Sequence, residues 1–230
     1  MGGRKNNEDY CLHKNGIWIV ADGLGGHDSG EIASETACRA ISEYVDTHEI
    51  NAEDAQLADI INVANTSVIK KQKSDPSLAS MRTTIVFAMA HGESLRYANV
   101  GDSRFYYFRD GQMLLHSEDH SVSAASVKLG DLSFEEIRND PDKNKLLKVL
   151  GDSDELSVKI PQKVISLKSG DAFLLCSDGF WEHVYETEME IDLVKSSNPR
   201  EWINYMAKRI ILKTKNNGND NFTAIGVFIE

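Results

Sequence analysis

Four aspartates in this chain share one local context. Asp22 closes the apolar run Trp18-Ile19-Val20-Ala21 and precedes Gly23, and Asp178 closes "FLLCS" and precedes Gly179. Asp102 lies in "ANVGDSR" between two apolar segments, and Asp220 lies in "NNGNDN" just before the last one. Each alone is an ordinary turn or cap residue. If the four strand ends meet at one sheet edge, however, four carboxylates converge, and like charges at close range raise one another's pKa unless a cation compensates. Mg²⁺ takes carboxylate, carbonyl and water oxygens, and Mn²⁺ suits the same donors, so the chemistry of this pattern is the holding of hard divalent cations. A glycine after the aspartate removes the Cβ that would hinder its carbonyl from turning toward an ion. Near the N-terminus, Arg4, Glu8 and Asp9 in "GRKNNEDY" add a cation and two more carboxylates. By itself that stretch reads as a solvated terminus.

Other chemistries are excluded more simply. The three cysteines, Cys11, Cys38 and Cys176, are odd in number and widely spaced, which argues against a disulfide framework and a CxxC metal or redox site. A cysteine phosphatase loop needs an arginine at a fixed offset after the nucleophile, and the residues at that offset are Ile17, Tyr44 and Glu182. The net charge of −11, with no basic block, lacks the footprint of a nucleic-acid binder. No run approaches the roughly 18 apolar residues of a membrane span, and the polar start from Met1 to Asp9 lacks the apolar region of a secretory signal. The expected location is the cytoplasm, with neither nucleic acid nor membrane as partner.

A composition of 41% apolar and 27% charged residues over 230 positions fits one globular domain with a full core. Apolar or small residues at Ile32, Ala33, Thr36, Ala37, Ala40, Ile41, Tyr44 and Val45 predict a helix with one buried stripe, and a second helix is predicted from about Ala52 to Lys73. Strands are predicted at Thr83 to His91, Leu95 to Val100, Phe105 to Phe108 and Met113 to Leu115, the last two joined across Asp110-Gly111 as a hairpin. Ser121 to Asp142 reads as short polar helices. Further strands are predicted near Lys163 to Leu167, Ala172 to Ser177 and Phe222 to Ile229. Asn198-Pro199-Arg200-Glu201 opens a helix, with Asn as cap, Pro first and Glu three after the cap. Hairpin-linked strands with grouped helices predict antiparallel sheets covered by helices, an α+β architecture.

The segments "GRKNNEDY", "VADGLGGHDSGEIAS", "TTIVFA", "ANVGDSR", "EDHS", "LCSDGFWEHV" and "GNDNFTAIGV" occur in the order and approximate spacing of the metal-dependent type 2C protein serine/threonine phosphatases, and the chain resembles the bacterial members from Gly3 to Val227. The resemblance implies a four-layer α-β-β-α sandwich in one phosphatase domain, with a flap-like segment at about 121–158. It implies hydrolysis of phosphoserine and phosphothreonine in proteins by a water held between two Mn²⁺ or Mg²⁺ ions, opposing a serine/threonine kinase. Asp22 resembles the carboxylate bridging the two ions, with the Gly23 carbonyl beside it. Asp178 and Asp220 are similar to the remaining ligands of the first ion, and Glu8 and Asp9 to acidic residues around the second, partly through water. Asp102 with Asp178 resembles a third, weaker metal site, and Arg4 resembles the phosphate-binding arginine.

His27 is the candidate proton donor to the leaving group, since histidine titrates near neutrality, although it sits further along its loop than the comparable histidine of eukaryotic relatives. His120 reads as structural, and Phe180 and Trp181 as core or subsite wall. Arg82 in "SMRTT" stands where bacterial relatives usually have glycine, and with only three residues before Arg4 the first strand seen in many relatives is expected to be absent or shortened, leaving Arg4 less firmly held. Two alternatives share the fold: a catalytically weak phosphoprotein-binding regulator and a small-metabolite phosphatase.

Overall fold

The computed structural model describes residues 2–4, 6–25, 29–215 and 218–230. Its first sheet contains β1 (Asp9–Lys14), β2 (Ile17–Leu24), β3 (Arg82–Thr83), β4 (Ile85–His91), β5 (Ser94–Val100) and β8 (Ile165–Ser166). The second contains β6 (Arg104–Arg109), β7 (Gln112–His116), β9 (Ala172–Cys176) and β10 (Ala224–Phe228). The strand orders are β1-β2-β4-β5-β8, with β3 on β2, and β10-β9-β6-β7, and the pairings are antiparallel. Helices α1 (Ser29–Thr47) and α2 (Asp54–Ser74) belong to the first sheet; α3 (Val122–Leu129), α4 (Asp178–Trp181), α5 (Glu186–Lys195) and α6 (Pro199–Thr214) follow.

Strand alternation explains the layers. Along β6, Phe105 and Tyr107 face the other sheet, whereas Tyr106 and Phe108 face α5 and α6; along β9, Phe173 and Leu175 point inward and Leu174 and Cys176 outward. On β2 and β4, Val20, Val86 and Ala88 meet that inner layer, and Ile17, Ile19, Ala21, Ile85, Phe87 and Met89 pack on α1 and α2. Strands covered on both faces read as continuous apolar runs rather than as alternating ones. The four-layer α-β-β-α sandwich expected from the sequence is the architecture observed.

Two hairpins have the left-handed turn pair that an I′ turn requires. Asp110 and Gly111 have φ of 52° and 76°, as expected, and Asn15 and Gly16 have 48° and 78°. The second hairpin joins β1, a six-residue strand that follows Arg4 and was not foreseen, to β2.

The strand expected from Thr83 to His91 divides at Thr84, whose N–H donates to the Asp22 carbonyl (2.9 Å) and whose Oγ1 shares a hydrogen bond with Ser103 Oγ (2.7 Å). These bonds divert the backbone from the ladder toward Asp22 on β2 and the loop that carries Asp102. Helix α5 was not foreseen; Glu188 accepts from the Tyr185 N–H (2.9 Å) to close its first turn. Asn198 caps α6 as expected, accepting from the Glu201 N–H at 3.0 Å. Among the described residues, no helix is long and apolar enough to cross a membrane.

Candidate active site

The ends of β2, β5, β9 and the loop before β10 open onto one cleft of about 250 Å³, lined by Arg4, Glu8, Asp22, Gly23, Leu24, Gly25, Asp102, Asn144, Leu146, Asp178 and Asp220. The sequence-level candidates Arg4, Glu8, Asp22, Gly23, Asp102, Asp178 and Asp220 are therefore brought together. Asp9 stands behind them, on β1 opposite Asp22, and does not line the cleft. His27 lies outside the described residues. His120 is structural, its Nδ1 accepting from the Gly101 N–H at 3.3 Å.

Two glycines are required here for close backbone packing. A Cβ on Gly23 would stand 2.0 Å from the Gly30 carbonyl oxygen and 2.7 Å from that of Glu8, and a Cβ on Gly179 would stand 2.1 Å from the Asn221 oxygen. The packing adds a reason for glycine beside the carbonyl freedom anticipated for Gly23: the Gly23 N–H donates to the Glu8 carbonyl (3.0 Å), fastening the segment before β1 to β2. Asn221 and Ser177, which sequence reasoning did not single out, complete this fastening. Asn221 Oδ1 accepts from the Glu8 N–H (2.8 Å) and its Nδ2 donates to the Asn6 carbonyl (3.0 Å). Ser177 Oγ donates to Asp9 Oδ2 (2.8 Å) and accepts from the Thr223 N–H (3.0 Å). The one available signal was that both polar residues flank the singled-out Asp178 and Asp220.

The electrostatics are those of crowded carboxyls. Burial, then the proximity of Asp178 and Asp9, pushes Asp22 well above the ordinary carboxylate range. Burial, then Asp178 and Asp119, does the same to Asp102. Asp178 is pushed up to about 6, mostly by burial, with Glu182, Asp220 and Asp9 adding to a rise that a hydrogen bond with Asp22 opposes. Asp9 is raised by burial, and its Oδ1 is buried with no hydrogen-bond partner among the described residues.

Asp220 is held outward by Arg4, whose Nη2 donates to Oδ2 at 2.6 Å. No three described His, Cys, Asp or Glu side chains form a ready-made cage. The donor set nevertheless fits a hard cation: its oxygens are crowded, Asp9 just behind them has a buried oxygen without a partner, and among the described residues neither sulfur nor imidazole lines the cleft. Burial pushes all three thiols up, so none has the thiolate character of a nucleophile.

A second network supports the cleft from below. Arg104, fully buried, pairs with Asp119 through Nε (2.9 Å) and Nη2 (2.7 Å) and lies 3.4 Å from the centre of the Trp181 ring. Trp181 Nε1 donates to the Asp102 carbonyl at 2.9 Å. Arg138 donates to the Trp181 carbonyl (3.1 Å) and to Glu186 Oε1 (2.7 Å). Trp181 is thus core, and it also fixes the backbone that carries Asp102.

This fold and this carboxylate cleft define a phosphatase-type sandwich, and the protein phosphatase 2C family model matches residues 3–215; the chain belongs to that family. It is 37% identical over 216 residues to the serine/threonine phosphatase stp of Listeria welshimeri, covering 91% of this chain and 82% of that protein. It is 33% identical over 205 residues to the protein phosphatase PhpP of Streptococcus pneumoniae, covering 85% and 81%. Among solved structures, serine/threonine phosphatase Stp1 from Staphylococcus aureus superposes with a TM-score of 0.87 at 26% identity, covering 99% of this chain and 91% of that one. The Mycobacterium tuberculosis phosphatase PstP/Ppp gives 0.86 at 26% identity, covering 99% and 94%.

Proposed function

We propose that this cleft removes phosphate from serine and threonine side chains of phosphorylated proteins, opposing a serine/threonine kinase. The observation that carries the reading is the meeting of Asp22, Asp102, Asp178 and Asp220 with Arg4 in one cleft of a protein phosphatase 2C fold. Glu8, Asp9, Asp22, the Gly23 carbonyl, Asp178 and Asp220 would hold two Mn²⁺ or Mg²⁺ ions, and Asp102 with Asp178 a third. When bound, the ions supply Lewis acidity toward water and toward the phosphoryl oxygens.

The chain's own residues divide the remaining work. Arg4 is half-exposed at the cleft mouth and paired with Asp220. Exchanging that carboxylate for the substrate phosphate keeps the guanidinium in a charge-assisted contact and releases Asp220 toward the cleft. Asp22, Asp102 and Asp178, held above the usual carboxylate range, would have to be ionised to hold a cation, so binding would be linked to proton release. The deep placement of Asp9 sets Asp22 from behind. The proton for the leaving alkoxide is assigned to His27. The chain forms one phosphatase domain, and the segment 121–158, which contributes Asn144 and Leu146 to the cleft wall, corresponds to the flap-like segment.

The test is hydrolysis of a phosphothreonine peptide by protein stripped of metal. Turnover is expected on adding Mn²⁺ and none in excess chelator. Full turnover in chelator, or none in Mn²⁺ with the fold intact, contradicts the assignment.

A further inference from the structure

Beside the cleft lies a groove of about 280 Å³ between the end of β2, β3 and residues 144–152. The two cavities share Leu24, Gly25, Asn144 and Leu146 as walls, so an extended chain with a phosphorylated side chain in the cleft runs on into the groove. The groove differs from the cleft in charge. The cleft is walled by five carboxylates, and the chain as a whole carries −11, whereas the groove presents Arg82 and Lys148 with Asp152.

Arg82 is already positioned. Its Nη1 donates to the carbonyls of Ala79 (3.0 Å) and Met81 (2.9 Å), which fix the planar guanidinium. Its carboxylate neighbour, Asp152, is 3.7 Å from Nε, beyond hydrogen-bond length, and that side chain is 67% exposed. Lys148 donates to the Ser157 carbonyl, and no ion pair to it is found among the described residues. A guanidinium held in place loses little freedom when it meets a carboxylate. Arg82 pairs with Leu24 across β2–β3, two residues along from Asp22. At about 3.3 Å per extended residue, that offset corresponds to about two or three residues of bound peptide.

We propose that this groove is a substrate subsite that takes an acidic side chain flanking the phosphorylated residue, with Arg82 and Lys148 as its cationic partners. The inference rests on the phosphatase reading above and specifies its substrate class: phosphoproteins carrying Asp or Glu about two or three positions from the phosphoserine or phosphothreonine.

The test is a set of phosphothreonine peptides with Asp, Ala or Lys at successive positions on either side of the phosphoresidue. Each kcat/KM is divided by that for p-nitrophenyl phosphate, which is too small to span both cavities. The wild type is expected to prefer Asp over Lys at one or two adjacent positions by about tenfold, as attraction and repulsion combine. Arg82→Glu should bring that ratio to about one or below, and Lys148→Glu should lower it independently, so the test survives if one variant folds poorly; melting temperatures report on folding. Asp152→Asn should raise the preference. Robust turnover with a flat profile in the wild type, or a preference unmoved in both charge-reversal variants, overturns the subsite alone. Hydrolysis of p-nitrophenyl phosphate with no turnover of any peptide overturns the protein-phosphatase reading and the subsite with it.

Discussion

Asp178→Asn separates stability from function, because the two are predicted to move in opposite directions. In the metal-free fold the Asp178 carboxyl titrates at about 6 rather than 3.8, chiefly through burial and then through neighbouring carboxylates. Holding that charge above pH 6 costs the fold about 3 kcal/mol at most, at about 1.36 kcal/mol per pH unit. Asparagine keeps the shape and the acceptor oxygen and removes the charge. For a chain of this size, about 2–4 °C per kcal/mol, the stripped variant should melt above stripped wild type near pH 8 by up to about 6–12 °C.

The sign follows from linkage. A carboxyl whose pKa is raised by folding binds its proton more tightly in the folded state, so its contribution to stability is present below about pH 4 and lost as pH rises through 6. The variant's advantage should therefore vanish near pH 4, grow through pH 6 and level off. Thermal melts in chelator from about pH 4 to about pH 8 measure this directly. In Mn²⁺ the same variant should lose at least about a hundredfold in phosphopeptide turnover, since even groups one contact removed from a metal ligand commonly cost 10- to 100-fold. A stripped variant less stable than wild type near pH 8 would refute the repulsion argument. Activity within about tenfold of wild type would refute the ligand assignment.

Arg4→Lys keeps the charge but not the fork, and kcat/KM for a phosphothreonine peptide should fall about 10- to 100-fold in steady-state assays. Trp181→Phe removes the bond to the Asp102 carbonyl and most of the stack on Arg104; Mn²⁺ affinity measured by calorimetry should weaken about tenfold. Asp171→Ala, at the opposite end of β9 from the cleft, leaves Arg109, Tyr107 and the Lys168 N–H without their acceptor and should cost about 3–5 kcal/mol in a denaturant melt, with turnover retained. Burial raises the Asp171 pKa, but bonds from Arg109 and Tyr107 outweigh it and the net shift is downward. The part of that stabilisation that depends on the charge is present above about pH 4 and lost in acid, where the gap between wild type and variant should narrow.

Much of the frame was legible because doubly covered strands and amphipathic helices carry strong patterns, as in Ile85–His91 and Ser29–Thr47. The Asp110-Gly111 turn announced its hairpin; Asn15-Gly16 did the same, but the strand before it, Asp9–Lys14, alternates polar and apolar residues and was overlooked. Helix α5 was hidden because only Met189 and Asp192 among its residues are buried, so its apolar stripe is faint. The convergence of the aspartates could be read from their positions at strand ends. The placement of Asp9 behind Asp22 could not, because it depends on the β1–β2 register. Asn221 and Ser177 escaped for the same kind of reason: their partners, Glu8 and Asp9, are distant in sequence and meet them only when the sheets close.

If the cleft is a divalent-cation site built from strand-end aspartates, its affinity for Mn²⁺ depends on Asp22. Calorimetric titration of Mn²⁺ into stripped wild type and into stripped Asp22→Asn tests it most directly. At least two ions should bind to the wild type, with proton release near pH 6, and tight binding should be lost in the variant while both remain folded. A wild-type chain that is folded and binds no Mn²⁺, or a variant that binds as many ions as tightly, would contradict it.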